Sequence, residues 1–555
     1  MRLDITNHLT EVLNEALARA GLPASPSVAW EVPREASHGD YASNVAMTLA
    51  RTARQPPRKV AEALVSHFPA TAAVERLEIA GPGFLNVFLS PRWCAEALGA
   101  ILGDGAAYGR SDAGSGERIL LEFVSANPTG PLVIVNARAA AVGDALARIL
   151  RSQGYAVQSQ YYVNDAGNQF DALARSIDVR LRQELGEAAV LPENAYPGEY
   201  LVDLAREWLA RDGTRVRELL RDPEATRLPA LGDMAVRAIV DSQARVLDAY
   251  GTRFDRWVSE RADVRGAREP ERAIALLTAG GHTYEQDGAL WFRSTAFGDD
   301  KDRVLRKSDG ELTYFAVDIG FHHFEKLAQA DFAIDFLGPD HHGHVARMKA
   351  AMRALGHPAE QLDVLIVQLV TLLRDGEPVR MSKRRGEFVL MEELLEEVGR
   401  DAARFTFLTR RHDSPLEFDL AVATRQSADN PVFYVQYAHA RVSSLLKNAA
   451  EQAIPSPPWA EADFSPLTLT EEQALIKRLL QYPALVAGAA RAREPHRVAY
   501  FLTELAGIFH PYYKAHRVIT DDRALTVARL GLCTAVGQIV ANGLGLLGVS
   551  APESM

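Results

Sequence analysis

The alternation of apolar and polar positions divides the chain into successive regimes. Over residues 1–20, Leu3, Ile5, Leu9, Val12 and Leu13 recur at helical spacing among Asp4, Glu11 and Glu15, which predicts an amphipathic helix. A polar stretch over 35–44, a helix over 59–67 and a β-prone run over 74–89, interrupted by Gly81-Pro82-Gly83, complete a small α+β unit. A polar linker spans 103–116. After it Ile119, Leu120, Leu121, Phe123 and Val124 form a short apolar run that ends at Ser125-Ala126-Asn127-Pro128-Thr129-Gly130-Pro131, too rich in turn formers to continue a strand. Over 138–151, Ala140, Val142, Ala145, Leu146, Ile149 and Leu150 return at helical period, and 157–163 is β-prone again. Such a βαβ unit places the first strand's carboxyl end beside a helix amino terminus, a crevice that favours anionic ligands.

Charged and aliphatic residues alternate at helical period from 170 to about 250, with Arg180, Glu184, Arg206 and Glu207 among Leu181, Leu185, Leu204 and Leu209. This is a helical insertion whose charges form a solvated face. β-type patterning resumes at Phe254-Asp255 and 257–260, and short strands are expected over 288–292, 304–305 and 312–316. An apolar strand over 332–337 leads through Gly338-Pro339-Asp340-His341-His342-Gly343-His344 into a helix over 345–355, and 364–373 is a last hydrophobic run before a loop over 374–388. The result is a doubly wound α/β sheet split by an insertion. Beyond Asp419 the pattern is helical over 421–429, 432–447 and, after a Pro-rich break at 454–459, up to 547. The expected division is 1–108, 116–170, 171–250, 251–400 and 401–555.

A chain of 555 residues supports about three or four domains at roughly 100 to 200 residues each. Cys94 and Cys533 are too few for a disulfide framework or a zinc knuckle, which fits a reducing cytosol. No apolar run reads as reaching the roughly 20 residues a membrane span needs, so no membrane partner is expected. A net charge of −11 argues against indiscriminate nucleic-acid binding but permits a local basic track.

Arg380-Met381-Ser382-Lys383-Arg384-Arg385-Gly386 is a cationic cluster after the last core strand, suited to a departing phosphate, with Lys383 foremost. Glu122 and Asp318 suit a cationic ligand, and Tyr314 lies one helical turn before Asp318, so one face would present a ring and a carboxylate. Without further context Tyr314 reads rather as core packing and Asp318 as a helix cap or surface ion pair. The histidines of 340–344 sit on a turn where adjacent side chains diverge, and no second cluster supplies ligands, so no metal site is expected.

Residues 122–132 resemble the lead-in to the ATP-binding signature of class I aminoacyl-tRNA synthetases, specifically the arginyl-tRNA synthetases, and Tyr162-Val163-Asn164-Asp165-Ala166-Gly167-Asn168-Gln169 is similar to the segment after their second strand. Arg380 to Lys383 resembles the second class I signature. His38 to Asn44 and Gly81 to Asn86 resemble the domain applied to the tRNA elbow, and Asn430 to Arg441 the start of the anticodon-binding domain. The resemblance runs end to end. It implies a Rossmann-type catalytic core, an N-terminal α+β domain and a C-terminal helical bundle, acting as a cytoplasmic monomer on ATP with Mg²⁺, L-arginine and tRNA(Arg). It further implies arginine binding by Glu122, Asn127, Tyr314, Asp318 and His341, and ATP binding by Pro128, Gly130, Val133, Val135, Asn136, His341 and Lys383. Arg380, Met381, Ser382 and Lys383 would serve adenylate formation, and Phe84, Asn86, Asn430, Tyr434 and Tyr437 would contact tRNA.

One departure from the family pattern is local. Where the family has His-x-Gly-His, the chain has Val133-Ile134-Val135-Asn136. Asn136 can still donate a hydrogen bond, Val133 cannot, and Val135 adds a branched side chain where close approach needs glycine. One lost donor is worth about 3 kcal/mol in the transition state, roughly a hundredfold in rate. Two functions are compatible with this pattern: an arginyl-tRNA synthetase, or a synthetase paralogue that binds arginine or tRNA without ATP-dependent activation.

Overall fold

The computed structural model describes residues 4–25, 28–379, 389–454 and 457–555. Its centre is a five-stranded parallel sheet built from β1 (Arg118–Glu122), β2 (Ala156–Val163), β3 (Arg256–Ser259), β4 (Phe332–Leu337) and β5 (Leu362–Ile366), in the order β5-β4-β1-β2-β3. The order reverses at β1. Ligands of open α/β sheets bind outside the carboxyl ends of the strands at such a switch point.

Helix α1 (Ile134–Ser152) joins β1 to β2 and begins four residues before the expected start. Val133 has no side-chain acceptor with which to cap it, and Asn136 Oδ1 reaches back to accept the Val133 N–H at 2.9 Å. Five of its thirteen buried residues are alanine and one is glycine, so the helix lies close on the sheet. At Gly143 a Cβ would lie 2.3 Å from the Phe123 ring, which packs against Phe254 with centroids 4.5 Å apart. Gly143→Ala is therefore expected to destabilise the fold by about 1–3 kcal/mol through overpacking, read as a lowered urea midpoint.

Three helices form the insertion, Asn168–Glu184, Glu199–Leu219 and α2 (Glu224–Ala249). The sequence pattern fails at 312–316. Leu312 makes only an isolated bridge to Arg306, and α3 (Tyr314–Gly320) starts at once, because Thr313 accepts the Ala316 N–H on its hydroxyl and caps the helix. The antiparallel sheet preceding it is completed by a strand the alternation did not reveal, Thr283–Gln286. Helix α4 (His342–Ala354) follows β4.

The apolar run 364–373 is two strands, not one. After β5 the carbonyls of Gln368 and Leu369 turn toward the buried guanidinium of Arg138, at 2.8 and 3.3 Å, and the strand Val370–Arg374 joins a separate sheet with Leu416–Asp419. The expected line between 400 and 401 thus runs between paired strands, and residues 401–419 pack with the α/β half. Nor is 421–429 one helix: it spans only Leu420–Thr424.

In that segment α5 (Arg400–Phe407) carries Arg404, which has no exposed surface. Its guanidinium donates to Leu547 O, Tyr250 O and Thr252 Oγ1, each at 3.1 Å, and to Asp144 of α1. One side chain therefore joins the core, the end of the insertion and the end of the C-terminal bundle.

That bundle includes α6 (Pro431–Glu451) and α7 (Arg523–Leu546). By length and composition α7 is apolar enough to cross a membrane, contrary to the sequence reading; 67% of its most apolar stretch is buried inside the bundle, where apolarity on all sides is what a central helix requires. The linker 103–116 is also less free than its polarity implied. A helix Pro91–Asp104 runs into it, Tyr108 is buried with its hydroxyl donating to Leu479 O at 3.3 Å, and Asn542 donates to Gly105 O. The N-terminal sheet, Tyr41–Ser43, Val74–Ala80 and Phe84–Leu89, is tied to the bundle by an ion pair between Asp40 and Lys477 at 2.9 Å.

Candidate active site

β1 ends in Glu122, and the chain then bends through Val124 (φ 70°) and Ser125 (φ 37°). A β-branched residue in the left-handed region is strained, and the surroundings must over-determine it. They do: Ser125 Oγ donates to Glu122 Oε1 at 2.8 Å and accepts the Tyr162 N–H at 3.1 Å. Beyond it Tyr161 OH accepts the Ala126 N–H at 3.1 Å and donates to Gln243 Oε1 at 2.9 Å, and Gln243 Nε2 donates to the carbonyls of Asn127 and Gly130 at 3.2 and 2.9 Å. The Tyr200 hydroxyl donates to Thr129 O. The turn is thus held from the insertion side by α2. Pro128 is buried beneath it, and Asn127 is exposed, its Oδ1 accepting from Asn164 at 3.4 Å.

Asp318, on α3, is 6% exposed, and its Oδ2 has no aligned hydrogen-bond donor. His344 Nε2 lies 3.3 Å from it. Arg347 Nε lies 2.9 Å from His344 Nδ1, which must accept, so the proton of this imidazole sits on Nε2 and faces Asp318. Burial, with His322 and Arg347 nearby, pushes the His344 pKa down to about 3, so the ring is neutral. Burial, then the carboxylates Glu260 and Glu122, raise the Asp318 carboxyl well above its ordinary range. Tyr314, 56% exposed, stands one turn earlier on the same helix, at the mouth. Glu122, Tyr314 and Asp318 are therefore brought together, with Asn127 on the adjacent turn.

Beneath them lies a charge network that sequence reasoning missed. Lys326 Nζ is 2.6 Å from both Glu122 Oε2 and Asp335 Oδ1, and His322 Nε2 is 2.8 Å from Asp335 Oδ2. Burial opposes every charge here, but Lys326 and His322 outweigh it and hold Asp335 ionised below the usual carboxylate range; in turn the two carboxylates raise the Lys326 ammonium. Glu260 is equally enclosed, accepting from Tyr162 OH at 2.9 Å and Arg265 Nε at 2.7 Å.

The nucleotide end is only partly as expected. Asn136 is on the first turn of α1, but its amide oxygen serves Val133 N–H, so its role in the structure is first that of a cap. Val133 bridges Leu390, with Val389 O accepting from Ile134 at 3.2 Å; Val133 and Val135 are half-buried. His341 is exposed at the start of α4, its Nε2 3.5 Å from Asp340. Arg380, Met381, Ser382 and Lys383 lie outside the described residues. Among the described residues no group of three or more His, Cys, Asp or Glu could hold a metal ion.

Two of the expected tRNA contacts are buried. Asn430 is 4% exposed and caps α6, its Nδ2 donating to Ala423 O and Arg425 O and its Oδ1 accepting from Val432. Asn86, also 4% exposed, sits in the central strand of the N-terminal sheet between Ala42 and Glu78. Sequence spacing could not distinguish a surface amide from an enclosed one. Phe84 remains exposed at the hairpin end, as does Tyr437, which stacks on Phe433 at 5.9 Å with Arg441 4.5 Å from its face; Tyr434 packs on His510.

Three family models match the chain: "Arginyl tRNA synthetase N terminal domain" over residues 7–89, "tRNA synthetases class I (R), catalytic domain" over 97–419, and "DALR anticodon binding domain" over 435–555. The chain is 49% identical to the arginine–tRNA ligase of Syntrophotalea carbinolica, covering 96% of this chain and 95% of that one. It is 46% identical to that of Symbiobacterium thermophilum over 100% and 99% of the two chains. The Thermus thermophilus arginyl-tRNA synthetase structure superposes with a TM-score of 0.76 at 26% identity, covering 99% of this chain and 100% of that one.

Proposed function

The chain belongs to the arginyl-tRNA synthetase family, and on that premise we propose that it joins L-arginine to tRNA(Arg) through an arginyl-adenylate, with ATP as the second substrate. The observation that carries the reading is the buried Asp318 carboxylate without an aligned donor, set beside Glu122 under the mouth formed by Tyr314. A planar guanidinium supplies the donors that such carboxylates lack. Asn127, at the first turn, orients the amino acid's α-amino or α-carboxylate group. Mg²⁺ enters with the triphosphate as part of the nucleotide substrate.

The carboxylate of arginine attacks the α-phosphorus, pyrophosphate leaves, and a terminal ribose hydroxyl of the tRNA then displaces AMP from the acyl carbon. No side chain of the protein becomes covalently attached. Catalysis is positioning plus electrostatics: the strained turn and the Gln243 clamp fix the reacting ends, Asn136 and His341 border the nucleotide, and Lys383, Arg380 and their neighbours Met381 and Ser382 are assigned to the departing pyrophosphate on sequence grounds. Phe84 is assigned to an elbow base, and Tyr437 with Tyr434 and Arg441 to unpaired bases, since aromatic faces beside guanidinium groups suit splayed RNA. The enzyme is expected to work as a monomer in the cytosol.

Arginine-dependent ATP–pyrophosphate exchange, with and without tRNA(Arg), tests this. Exchange by the unmodified chain is expected. The variant Val133→His/Val135→Gly, which adds a donor and removes a branched side chain, is expected to raise the rate by up to about a hundredfold. No exchange until that variant restores it, with arginine still bound, would make the chain a binding paralogue.

A further inference from the structure

Lys326 is assigned to neither substrate, yet it is the most enclosed cation at the site, with 1% of its surface exposed. It lies on Phe321–Leu327, a π-helix, a rare geometry often found at functional sites. There His322 and Lys326 share a face, with Nε2 and Nζ 3.2 Å apart, and both turn toward Asp335. Glu122 and Asp335 are register partners on neighbouring parallel strands, so two carboxylates meet at one level of the sheet. Like charges facing each other in that way are unfavourable. The Lys326 ammonium stands 2.6 Å from each, over the Phe321 ring at 4.6 Å. Glu122 Oε1 accepts from Ser125, and Oε2 faces the Lys326 ammonium as an ion pair without an aligned hydrogen bond.

We propose that Lys326 is a positioning residue for arginine: by tying Glu122 to Asp335 it fixes the carboxylate that receives the cationic substrate. The inference rests on the assignment of Glu122 to arginine. The ammonium donates to Asp335 Oδ1 and pairs with Glu122 by charge, so one cation serves both carboxylates. A neutral side chain of similar length would leave Glu122 free to turn, and the orientation now fixed before binding would have to be fixed during it.

The test compares Lys326→Met with the charge-balanced pair Lys326→Met/Asp335→Leu, since removing both members of a buried ion pair disturbs folding far less than removing one. Arginine affinity is read by calorimetry, and the KM for ATP by pyrophosphate exchange. Both variants are expected to bind arginine at least tenfold more weakly, with the KM for ATP within twofold of the unmodified chain. The paired variant is expected to melt where the unmodified chain does. Unchanged arginine affinity in the paired variant would overturn the proposal, because Lys326 would then only balance Asp335. Equal losses for arginine and ATP with a lowered melting temperature would overturn it too. Glu122→Gln separates the two levels: if it leaves arginine affinity unmoved, the assignment of Glu122 falls and the proposal with it, whereas its loss beside an unaffected paired variant removes Lys326 alone.

Discussion

Asp318→Asn is expected to lower kcat/KM for arginine in pyrophosphate exchange by about thirtyfold to a few thousandfold, the 2–5 kcal/mol typical of removing one partner of an enclosed charge-assisted contact. The same substitution should not weaken the fold. The native carboxyl titrates well above its unfolded value because of burial and the neighbouring Glu260 and Glu122. A raised carboxyl pKa means that the native state holds a proton the unfolded state has released, so stability falls as pH rises from about 4 through the native pKa. Asparagine removes that penalty, and thermal melting at neutral pH should be unchanged or higher. Binding has the opposite sign. Arginine needs Asp318 ionised, so its KM should fall as pH rises and level off once the free enzyme's Asp318 is deprotonated, and calorimetry in buffers of different ionisation enthalpy should register proton release. A variant that lost stability and activity together would point to a structural Asp318.

Arg404→Met is expected to be the most destabilising of the substitutions considered, by about 3–5 kcal/mol, because Asp144 would be left enclosed with only the partly exposed Arg148, 2.8 Å away, as a counterion. The midpoint of thermal unfolding should fall by roughly 10 °C. Three backbone and hydroxyl acceptors, from Leu547, Tyr250 and Thr252, lose their donor as well. Gly548→Ala should act in the same direction. Gly548 is in the left-handed region at φ 68°, and a Cβ there would stand 2.3 Å from Arg404 Nη2. If Arg404→Met melted within 2 °C of the unmodified chain, the guanidinium would not be the joint between the three parts.

The elements that periodicity predicted well are those whose burial follows from their own sequence. β1, α1 and β4 each carry an apolar run or stripe that the core absorbs directly. The segment 312–316 was misread because its β-prone residues compete with a threonine cap, and 364–373 because a buried arginine 226 residues away in sequence, counting Arg138 to Val364, draws the chain out of the sheet after β5. Within the site, Glu122, Tyr314 and Asp318 were legible as residue types at suggestive positions. Gln243 had left a trace too, a polar residue on a stripe with Ile239 and Leu247. Asp335 had one as well, an acid inside an apolar strand. Lys326 had none, because π-helical spacing has no common sequence signature. Asn86 and Asn430 show what spacing cannot reveal: both are buried, and Asn430 is engaged by backbone on its amide nitrogen and oxygen.

The order in which the chain leaves the ribosome gives the sheet topology a further meaning. Arg118 and Asp331, which pair at the base of β1 and β4, are 213 residues apart, with β2, the insertion and β3 made between them. Until β4 emerges, β1 has one unpaired edge and Glu122 has neither Asp335 beneath it nor the Lys326 bridge. The N-terminal domain can fold from the first hundred or so residues on local contacts, whereas the catalytic sheet must hold an open, apolar edge through most of the insertion's synthesis, the kind of edge along which nascent chains aggregate. Arg404 then waits for Leu547, 143 residues further along the chain, to complete its contacts. A nascent chain stalled before residue 332 would therefore carry Glu122, Tyr314, Asp318 and Lys326 without Asp335, the partner that completes their charge network.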